Sequence, residues 1–285
     1  TICNEIDASS IIKLYEEQLN IDVSSSFKEY SKIFLCKCNK TGYKFYFPKE
    51  VQGNLTFYDN FKEKENYYLQ WKWEYKEAKK WIAPHDSVLE IACGKADFLK
   101  SVSNSKNKCI GFDINASQFN ESNLKIFTSN FDDFFKSNND KFDVIVSFQF
   151  LEHVFDVKYF FDIVSTHLNQ NGKLILGLPN NNSKIVKKEG ATNIPPHHMG
   201  HWTPKSLRKT AKIWGFNVKF QKTESLQPEH FVIYDNNLYN LFLRRKSKIK
   251  FIGKIINSIH YKLFICCYKL GLIKGHTFLT VLQKK

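Results

Sequence analysis

Between residues 84 and 223, short continuous apolar runs alternate with segments in which apolar residues recur at helical spacing. The runs have the length of ordinary strands, and the segments between them are long enough for helices. Strands and helices that alternate in this way form βαβ units, so the pattern predicts an α/β fold around a mostly parallel sheet. The predicted strands are Val88–Ala92, Cys109–Asp113, Leu124–Thr128, Phe142–Phe148, Lys173–Leu178, Phe216–Lys222 and, near the end of the chain, His276–Gln283. The predicted helices are Ala96–Val102, Val157–Leu168 and Thr203–Trp214.

The segments on either side of this pattern have a different texture. Residues 1–75 begin with a predicted helix, Ser10–Leu19, and become strongly aromatic in their second half. Residues 224–275, which separate the last two predicted strands, have the pattern of an inserted helical segment. We therefore expect a separate N-terminal region at 1–75 and a core at 76–285 that contains the insertion.

The composition is that of a folded chain with a sizeable core. Hydrophobic residues make up 42% of the 285 residues and aromatic residues 15%. No apolar run reaches the roughly 18 residues that a membrane span needs, and no secretory signal is visible. Seven cysteines, an odd number in a long chain, are typical of a reducing cytoplasm rather than of a disulfide scaffold. Cys36 and Cys38 have the wrong spacing for a zinc ribbon, so we expect no metal there.

The formal net charge of +14 is concentrated at the C-terminal end of the chain. Residues 241–285 hold eleven Lys and Arg residues and no acidic residue. Only three of the 42 basic residues are Arg, the side chain that usually reads bases and phosphates, which argues against a nucleic-acid partner. Residues 250–270 place isoleucines on one helical face and lysines on the other. This helix either covers the body or a second subunit, or it makes peripheral contact with an anionic membrane on its cytoplasmic face.

Two acids and a tight turn stand at the ends of the first two predicted strands. The first strand contains Glu90 and runs into a turn of small residues between Ala92 and Ala96, and the second ends at Asp113. Such a turn lets the backbone approach a nucleotide-like ligand, and an acid about twenty residues further along accepts hydrogen bonds from ribose hydroxyls. Either acid alone is also explained as a structural cap. The interval between them favours a nucleoside-binding site.

Four motifs in order resemble those of class I S-adenosylmethionine-dependent methyltransferases. VLEIACGKADFL resembles their first motif, GFDIN their second and FDVIVSFQFLEHVFD their fourth. NIPPHHMGHWTPKSL resembles the segment after the fifth strand of methyltransferases found near glycan-biosynthesis genes. The resemblance runs from about residue 65 to 222 and includes the final strand. It implies a Rossmann-like, seven-stranded fold with helices on both faces, and Cys36-x-Cys38 is then a decayed form of the Cys-x-x-Cys module that some relatives carry.

The resemblance also implies S-adenosyl-L-methionine as the cofactor and assigns residues to it. Glu90 orients the turn near the methionine portion, Asp113 holds the ribose and Gln149 faces the sulfonium. Aromatic residues between 67 and 71 close over the cofactor from the N-terminal side. The expected cofactor-binding residues are Glu90, Ala92, Cys93, Gly94, Asp113, Ile114, Asn130, Phe131, Gln149 and Tyr68, with Asn130 and Phe131 at the adenine.

The first motif departs from the family pattern at two positions. Ala92 and Ala96 stand where the family usually has glycine, while Gly94 remains. A turn that binds NAD(P) has to admit a pyrophosphate at a helix N-terminus, so it tolerates added methyl groups less well. S-adenosylmethionine has no phosphates, and the two alanines therefore favour a methyltransferase over a dehydrogenase.

Histidines dominate the segment after the fifth predicted strand. In this fold, Pro195–Trp202 should lie at the carboxyl edge of the sheet, where ligands bind. Transfer of a methyl group to a hydroxyl needs a base, and we expect His197 or His198 in that role, with His153 as the next candidate. Hydrogen bonds to the backbone are the structural alternative for these histidines. We expect no zinc site from the three histidines of this segment, His197, His198 and His201, because no fourth ligand is obvious.

Glu152 and His153 raise the separate question of a divalent cation. Some relatives bind a metal through Glu-x-x-Glu-His after the fourth strand, but Gln149 replaces the first glutamate here. One carboxylate and one histidine make a poor site for a hard cation, so we expect a supporting role for this pair.

The sequence therefore predicts a cytoplasmic methyltransferase that acts on a small-molecule or glycan acceptor. By family analogy, the acceptor is a hydroxyl of a sugar that is nucleotide-linked or part of a surface-glycan precursor. A quinone-like or other lipid at the membrane surface remains an alternative acceptor. A second class of function is a non-catalytic scaffold or partner subunit with a methyltransferase fold, which the two lost glycines and the basic C-terminal end motivate.

Overall fold

The computed structural model describes residues 1–61, 72–183, 186, 190–225, 266, 270 and 275–285. The strands are β1 (Ile2–Asp7), β2 (Lys32–Lys37), β3 (Lys44–Phe47), β4 (Val88–Ile91), β5 (Cys109–Asp113), β6 (Phe119–Asn120), β7 (Leu124–Thr128), β8 (Phe142–Phe148), β9 (Leu168–Pro179), β10 (Gly200–His201), β11 (Phe216–Thr223) and β12 (Thr277–Lys284). The helices are α1 (Ala8–Leu19), α2 (Leu55–Asp59), α3 (Trp73–Lys79), α4 (Asp97–Val102), α5 (Phe131–Ser137), α6 (Val157–His167) and α7 (Pro204–Ile213).

The large sheet has the strand order β11-β12-β9-β8-β4-β5-β7-β6. The central strands β4, β5, β7, β8 and β9 pair in parallel, whereas β12 lies antiparallel between β9 and β11. The predicted α/β fold with a mostly parallel sheet is confirmed. The predicted number of seven strands is one too few, because the two-residue strand β6 adds an antiparallel edge to β7. Such a short segment carries no apolar run that would predict a strand.

Helices cover both faces of this sheet, as predicted. The buried side chains of β8 alternate between the two layers, with Ile145 in one and Val144 and Val146 in the other. The aromatic side chains of α5 and α6 pack on the first layer, and those of α3 and α4 on the second. Central parallel strands are buried on both faces, which is why they appear in the sequence as continuous apolar runs.

Helix α7 shows how local chemistry positions the elements of the core. Thr203 and Ser206 form a reciprocal capping box, and Pro204 occupies the first turn, where its missing N–H is harmless. Gly215 follows the helix with φ 78°, a conformation that costs glycine little. The predicted helix Thr203–Trp214 therefore agrees with the structure to within a residue at each end.

The N-terminal residues form a second sheet of four strands in the order β1-β2-β3-β10. Its last strand comes from a distant part of the sequence, since Gly200 and His201 pair antiparallel with β3. The predicted helix at 10–19 is confirmed as α1, but the strands of this region were not predicted. The division at residue 75 stays a prediction, and the structure adds that the core supplies one strand of the N-terminal sheet.

Two predicted features lie outside the described residues. These are the aromatic residues at 67–71, including Tyr68, and most of the helical insertion at 224–275 with its amphipathic segment at 250–270. Among the residues that the structure does describe, no helix is both long and apolar enough to cross a membrane. The six cysteines described in the structure are free thiols, in line with the expected absence of a disulfide framework.

Candidate functional site

The strand order creates a crevice at the carboxyl ends of β4 and β8. From β4 the chain proceeds outward to β5 and β7 on one side of the sheet and later to β8 and β9 on the other. In open α/β sheets, ligands bind where the strand order reverses in this way. We call this region, formed by residues 90–97, 113 and 149, the switch-point crevice.

In the turn after β4, every second residue from Ala92 to Ala96 has a left-handed backbone conformation. The φ angles are 57° at Ala92, 52° at Gly94 and 58° at Ala96. Left-handed backbone costs a non-glycine residue about 1–2 kcal/mol, so the two alanines are strained where the family pattern has glycine. The turn nevertheless keeps its shape, because Cys93 N donates to Phe112 O at 3.0 Å and Ala96 N donates to Cys93 O at 2.8 Å.

Close packing between the turn and the next strand depends on Gly111. A methyl group at Gly111 would lie 2.9 Å from Cys93 Sγ and 2.6 Å from Leu99 Cδ1. The Cys93 thiol is buried, and burial raises its pKa, so it remains a protonated packing group at neutral pH. Cys93 is therefore placed at the predicted site through its backbone, while its side chain fills the layer beneath.

Asp113 ties the turn to the end of β5. Its Oδ2 accepts from Gly94 N at 3.0 Å and its Oδ1 accepts from Asn115 N at 2.8 Å. Each carboxylate oxygen has a further lone pair, so the carboxylate can accept hydroxyl groups as well. Burial raises the pKa of Asp113 and the two backbone donors oppose that shift. Ile114 follows it, half-buried. The structural and ligand-binding interpretations of Asp113 are thus compatible.

Glu90 is a buried carboxyl beneath the turn, and its Oε2 has no hydrogen-bond partner among the described residues. Burial raises its pKa well above the usual range, and the nearby carboxylates of Asp113 and Asp97 raise it further. Lys72 is the cation that opposes this effect. A crevice with three carboxyl groups attracts a cationic ligand and repels a pyrophosphate.

Gln149 presents a second unsatisfied polar atom at the end of β8. Its Nε2 is buried without a hydrogen-bond partner in the described part of the chain. Its backbone takes φ 57°, and its N–H donates to Gly177 O at 2.8 Å, which fixes the side chain at the edge of the sheet. Buried polar atoms without a partner are rare in native folds, so Gln149 and Glu90 are suited to bind a polar ligand at this edge of the sheet.

Asn130 and Phe131 occupy the start of α5, beside the end of β7. Asn130 is the N-cap, since its Oδ1 accepts from Asp133 N at 2.9 Å and its Nδ2 donates to Asp133 Oδ2 at 2.7 Å. Phe131 is half-buried and lies 6.0 Å from Phe150, ring to ring, with the planes 21° apart. These two rings form an aromatic wall, while the amide of Asn130 is largely committed to the helix.

The segment that carries the predicted catalytic histidines is held by the N-terminal region. We call residues 190–201 the histidine loop. Tyr15 of α1 donates through Oη to Ile194 O at 2.8 Å and accepts from His197 N at 3.1 Å. Gly53 N donates to Pro196 O at 2.9 Å, and Tyr46 N donates to Met199 O at 2.8 Å.

The same loop is anchored on the core. Met199 N and Gly200 N both donate to Glu152 O, at 2.9 and 2.8 Å, and Asn181 N donates to Trp202 O at 2.8 Å. The loop therefore lies over the carboxyl ends of β8 and β9, where the sequence predicted it. No local sequence signal links Tyr15 to His197, which are 182 positions apart.

The structure brings all three predicted catalytic histidines together. We call His153, His197 and His198 the histidine cluster. Their ring centroids are 4.6–4.8 Å apart, and one ring nitrogen from each lies within 4.8 Å of the others. Burial lowers the pKa of His153 to about 4 and that of His197 to about 3. Burial also lowers the pKa of His198 well below its usual range, and the neighbouring imidazoles add to that shift. All three imidazoles are therefore neutral at pH 7.

Three residues of this half of the site were not predicted. Tyr58 Oη lies 3.1 Å from His153 Nδ1. Asn193 connects Asn181 to His198, because its Nδ2 donates to Asn181 Oδ1 at 3.2 Å and its Oδ1 lies 3.3 Å from His198 Nδ1. Asn181 Nδ2 is buried without a partner among the described residues. The run of three asparagines directly after the fifth predicted strand was the available signal for Asn181, whereas Tyr58 had none.

Comparisons with known proteins indicate the family of the chain. A family model described as a methyltransferase domain matches residues 62–219, an interval that includes the switch-point crevice and the histidine loop. No curated protein matches the chain. A solved S-adenosylmethionine-dependent methyltransferase from Archaeoglobus fulgidus is 20% identical, with a TM-score of 0.46 over 74% of this chain and 92% of that chain. The cyclopropane synthase MmaA2 from Mycobacterium tuberculosis is 17% identical, with a TM-score of 0.46 over 78% of this chain and 87% of that chain.

Proposed function

The chain belongs to the methyltransferase-domain family and uses S-adenosylmethionine, and we propose that it methylates a hydroxyl group of a sugar, either nucleotide-linked or part of a surface-glycan precursor. The observation that supports the cofactor site is the pair of buried atoms Glu90 Oε2 and Gln149 Nε2 at the switch point, which find no hydrogen-bond partner among the described residues. When bound, the cofactor supplies an electrophilic methyl group on a sulfonium.

The residues of the switch-point crevice fit the charge and shape of this cofactor. Its methionine end carries an ammonium and a sulfonium, and Glu90 offers a buried carboxyl group whose ionised form a bound cation would stabilise, as Lys72 already does in part. Asp113 retains lone pairs for the ribose hydroxyls, and the aromatic wall of Phe131 and Phe150 offers a flat apolar surface to the adenine. Gln149 Nε2 is placed to donate to the carboxylate of the methionine end.

A polar acceptor is supported by the groups at the ends of β8 and β9. Asn181 Nδ2 is a buried donor without a described partner, and Tyr58, His153 and Asn193 add hydroxyl, imidazole and amide groups nearby. Buried donors reject a ligand that cannot satisfy them, because the unmade hydrogen bond costs about 1–3 kcal/mol. A polyol such as a sugar meets this requirement better than a quinone-like lipid.

The histidine cluster is the candidate for handling the proton of the acceptor hydroxyl. A neutral imidazole is the protonation state that accepts a proton, but the lowered pKa values of His153 and His197 make each ring a weak base by itself. Within the proposal, the cluster therefore acts on the hydroxyl as a group of three rings rather than through one strongly basic histidine.

The decisive experiment combines calorimetry with radiolabelled methyl transfer. We expect S-adenosylmethionine to bind the full chain with measurable heat and to raise its melting temperature. We further expect labelled methyl groups to appear in at least one member of a panel of nucleotide sugars and not in quinone or phospholipid controls. Binding without transfer to any sugar would contradict the acceptor class. No binding at millimolar cofactor would favour the non-catalytic scaffold.

A further inference from the structure

The histidine cluster has the arrangement of a metal site with three imidazole ligands. One ring nitrogen from each of His153, His197 and His198 lies within 4.8 Å of the others, and two of the three residues are buried. Imidazole is a preferred ligand of divalent zinc, cobalt, nickel and copper. Nothing in the cofactor chemistry of the switch-point crevice requires three histidines to gather at this point.

Hydrogen bonds to Nδ1 set the tautomer of each ring. His197 Nδ1 lies 2.8 Å from Thr192 O, and His153 Nδ1 lies 2.6 Å from His197 O. Because a carbonyl oxygen only accepts, the hydrogen of each neutral imidazole must be on Nδ1, which leaves Nε2 with its lone pair. Metal-binding histidines typically donate their other N–H to a carbonyl in this way.

The tautomer of His198 follows from the side chain of Asn193. Asn193 Nδ2 donates to Asn181 Oδ1 at 3.2 Å and to Val186 O at 3.3 Å. Two acceptors on one side of the amide identify that side as the NH₂ group, so the oxygen faces His198 Nδ1 at 3.3 Å. His198 therefore also donates through Nδ1 and keeps a lone pair on Nε2.

We propose that the histidine cluster binds one divalent transition-metal ion, with Zn²⁺ as the best match, through one ring nitrogen of each histidine. Three protein ligands and an open fourth position are the pattern of catalytic rather than structural zinc sites. Within the described part of the chain, the cluster offers three histidine ligands and no fourth, as an open site requires. The proposal replaces the expectation of no zinc at the histidines of the loop, with His153 rather than His201 as the third ligand.

The cluster has to contract by a modest amount to hold the ion. With Zn–N distances of about 2.0–2.1 Å, tetrahedral geometry sets the nitrogens about 3.3–3.4 Å apart. The upper separation of 4.8 Å therefore has to shorten by about 1.4 Å, and the stacked rings of His197 and His198, whose planes are 19° apart, have to turn so that their lone pairs converge on the ion. Metal binding does not depend on the proposed acceptor. With the ion bound, the three ring lone pairs would be occupied, so the cluster would lower the pKa of an oxygen at the open position instead of accepting its proton directly.

The test uses the full chain, freed of metal with a chelator and then titrated with Zn²⁺ and Co²⁺. We expect one ion per chain, a visible Co²⁺ spectrum of tetrahedral type and X-ray absorption data with nitrogen or oxygen neighbours only. Sulfur neighbours would place the ion on cysteines and overturn the proposal, as would the absence of any bound ion. These spectra need no variant, so they decide the matter even if a substitution disturbs folding.

Variants locate the ion. His197→Gln and His198→Gln should each lower Zn²⁺ affinity on the order of 100-fold. Loss of a residue that only hydrogen-bonds to a metal ligand typically costs about 10–100-fold, and loss of a ligand itself should cost at least as much. His85→Gln is the matched control, since His85 is exposed in the turn before β4, at the opposite edge of the sheet. Equal affinity in all three variants would overturn the site. Calorimetry with S-adenosylmethionine, run on the same samples, reports separately on the proposed function.

Discussion

The two halves of the carboxyl edge are built in different ways. The switch-point crevice comes from one interval of sequence, residues 90–149, and its polar atoms Glu90 Oε2 and Gln149 Nε2 have no hydrogen-bond partner in the part of the chain that the structure describes. The histidine loop is instead held by α1, α2 and the small sheet, through contacts such as Tyr15 with His197 and Gly53 with Pro196.

This contrast suggests separate roles for the two halves in binding the cofactor and the acceptor. The crevice has carboxyl groups and a backbone turn suited to a cationic nucleoside such as S-adenosylmethionine. The histidine loop has neutral imidazoles and amides fixed by a region outside most of the family match, which begins at residue 62. We therefore expect substitutions in the first half to affect cofactor affinity, and substitutions in the second half to affect turnover and acceptor binding.

The double variant His197→Gln/His198→Gln should show the largest difference between an effect on turnover and an effect on cofactor affinity. Loss of the groups that handle the proton is expected to lower turnover by roughly 10²–10⁴. The affinity for S-adenosylmethionine should stay within about two-fold of the original, as calorimetry would show. His85→Gln serves again as the control. Unchanged turnover in the double variant would remove the loop from the mechanism.

The opposite pattern is expected for Asp113→Ala. The carboxylate that should accept two ribose hydroxyls is lost, so the Kd for S-adenosylmethionine should rise about 100-fold, which corresponds to ~2.7 kcal/mol. Because Gly94 N and Asn115 N also lose their acceptor, circular dichroism has to confirm that the variant is folded.

Asp140→Ala is the matched control for that experiment, since Asp140 is an exposed acid paired with Lys108. It should leave the Kd unchanged. If Asp113→Ala and Asp140→Ala bound the cofactor equally well, the ribose would not lie at the end of β5.

A smaller effect, confined to the acceptor, is expected for Asn181→Ala. Loss of a buried amide donor should raise the KM for the acceptor about ten-fold, equivalent to one hydrogen bond of ~1.4 kcal/mol, and leave the Kd of the cofactor unchanged. Asn182→Ala is the control, because Asn182 is next in the chain. If Asn181→Ala changed the affinity for the cofactor instead, Asn181 would belong to the cofactor site and not to the acceptor site.

The smallest expected effect tests the strain in the turn. Ala92→Gly removes the strain of a left-handed alanine, which is about 1–2 kcal/mol. Glycine also increases the conformational entropy of the unfolded chain, which lowers stability by about 0.5–1 kcal/mol. The net result should be a gain of about 0.5–1 kcal/mol in the free energy of unfolding, measured with urea. Ala211→Gly, in the interior of α7, should instead destabilise by about 1 kcal/mol or more. Equal signs for the two variants would contradict the assigned φ of Ala92.

Sequence patterns were sufficient for the core. Each central strand is a continuous apolar run because it is buried on both faces, and β5 and β8 match their predicted bounds residue for residue. The acids Glu90 and Asp113 could be placed in one crevice for the same reason, since adjacent parallel strands bring their carboxyl ends to one edge. The short strand β6 and the small sheet escaped prediction, because their pairing partners rather than their own patterns make them strands.

By itself, then, the amino-acid sequence determined the order of strands and helices, the crevice and its acidic character, because these depend on periodicity and on residues that lie close together along the chain. Only the tertiary structure decided that three histidines meet, which nitrogen of each carries the hydrogen and that Asn181 joins them. Those facts depend on contacts between residues up to 182 positions apart, such as Tyr15 with His197, and no local pattern encodes a distance in space.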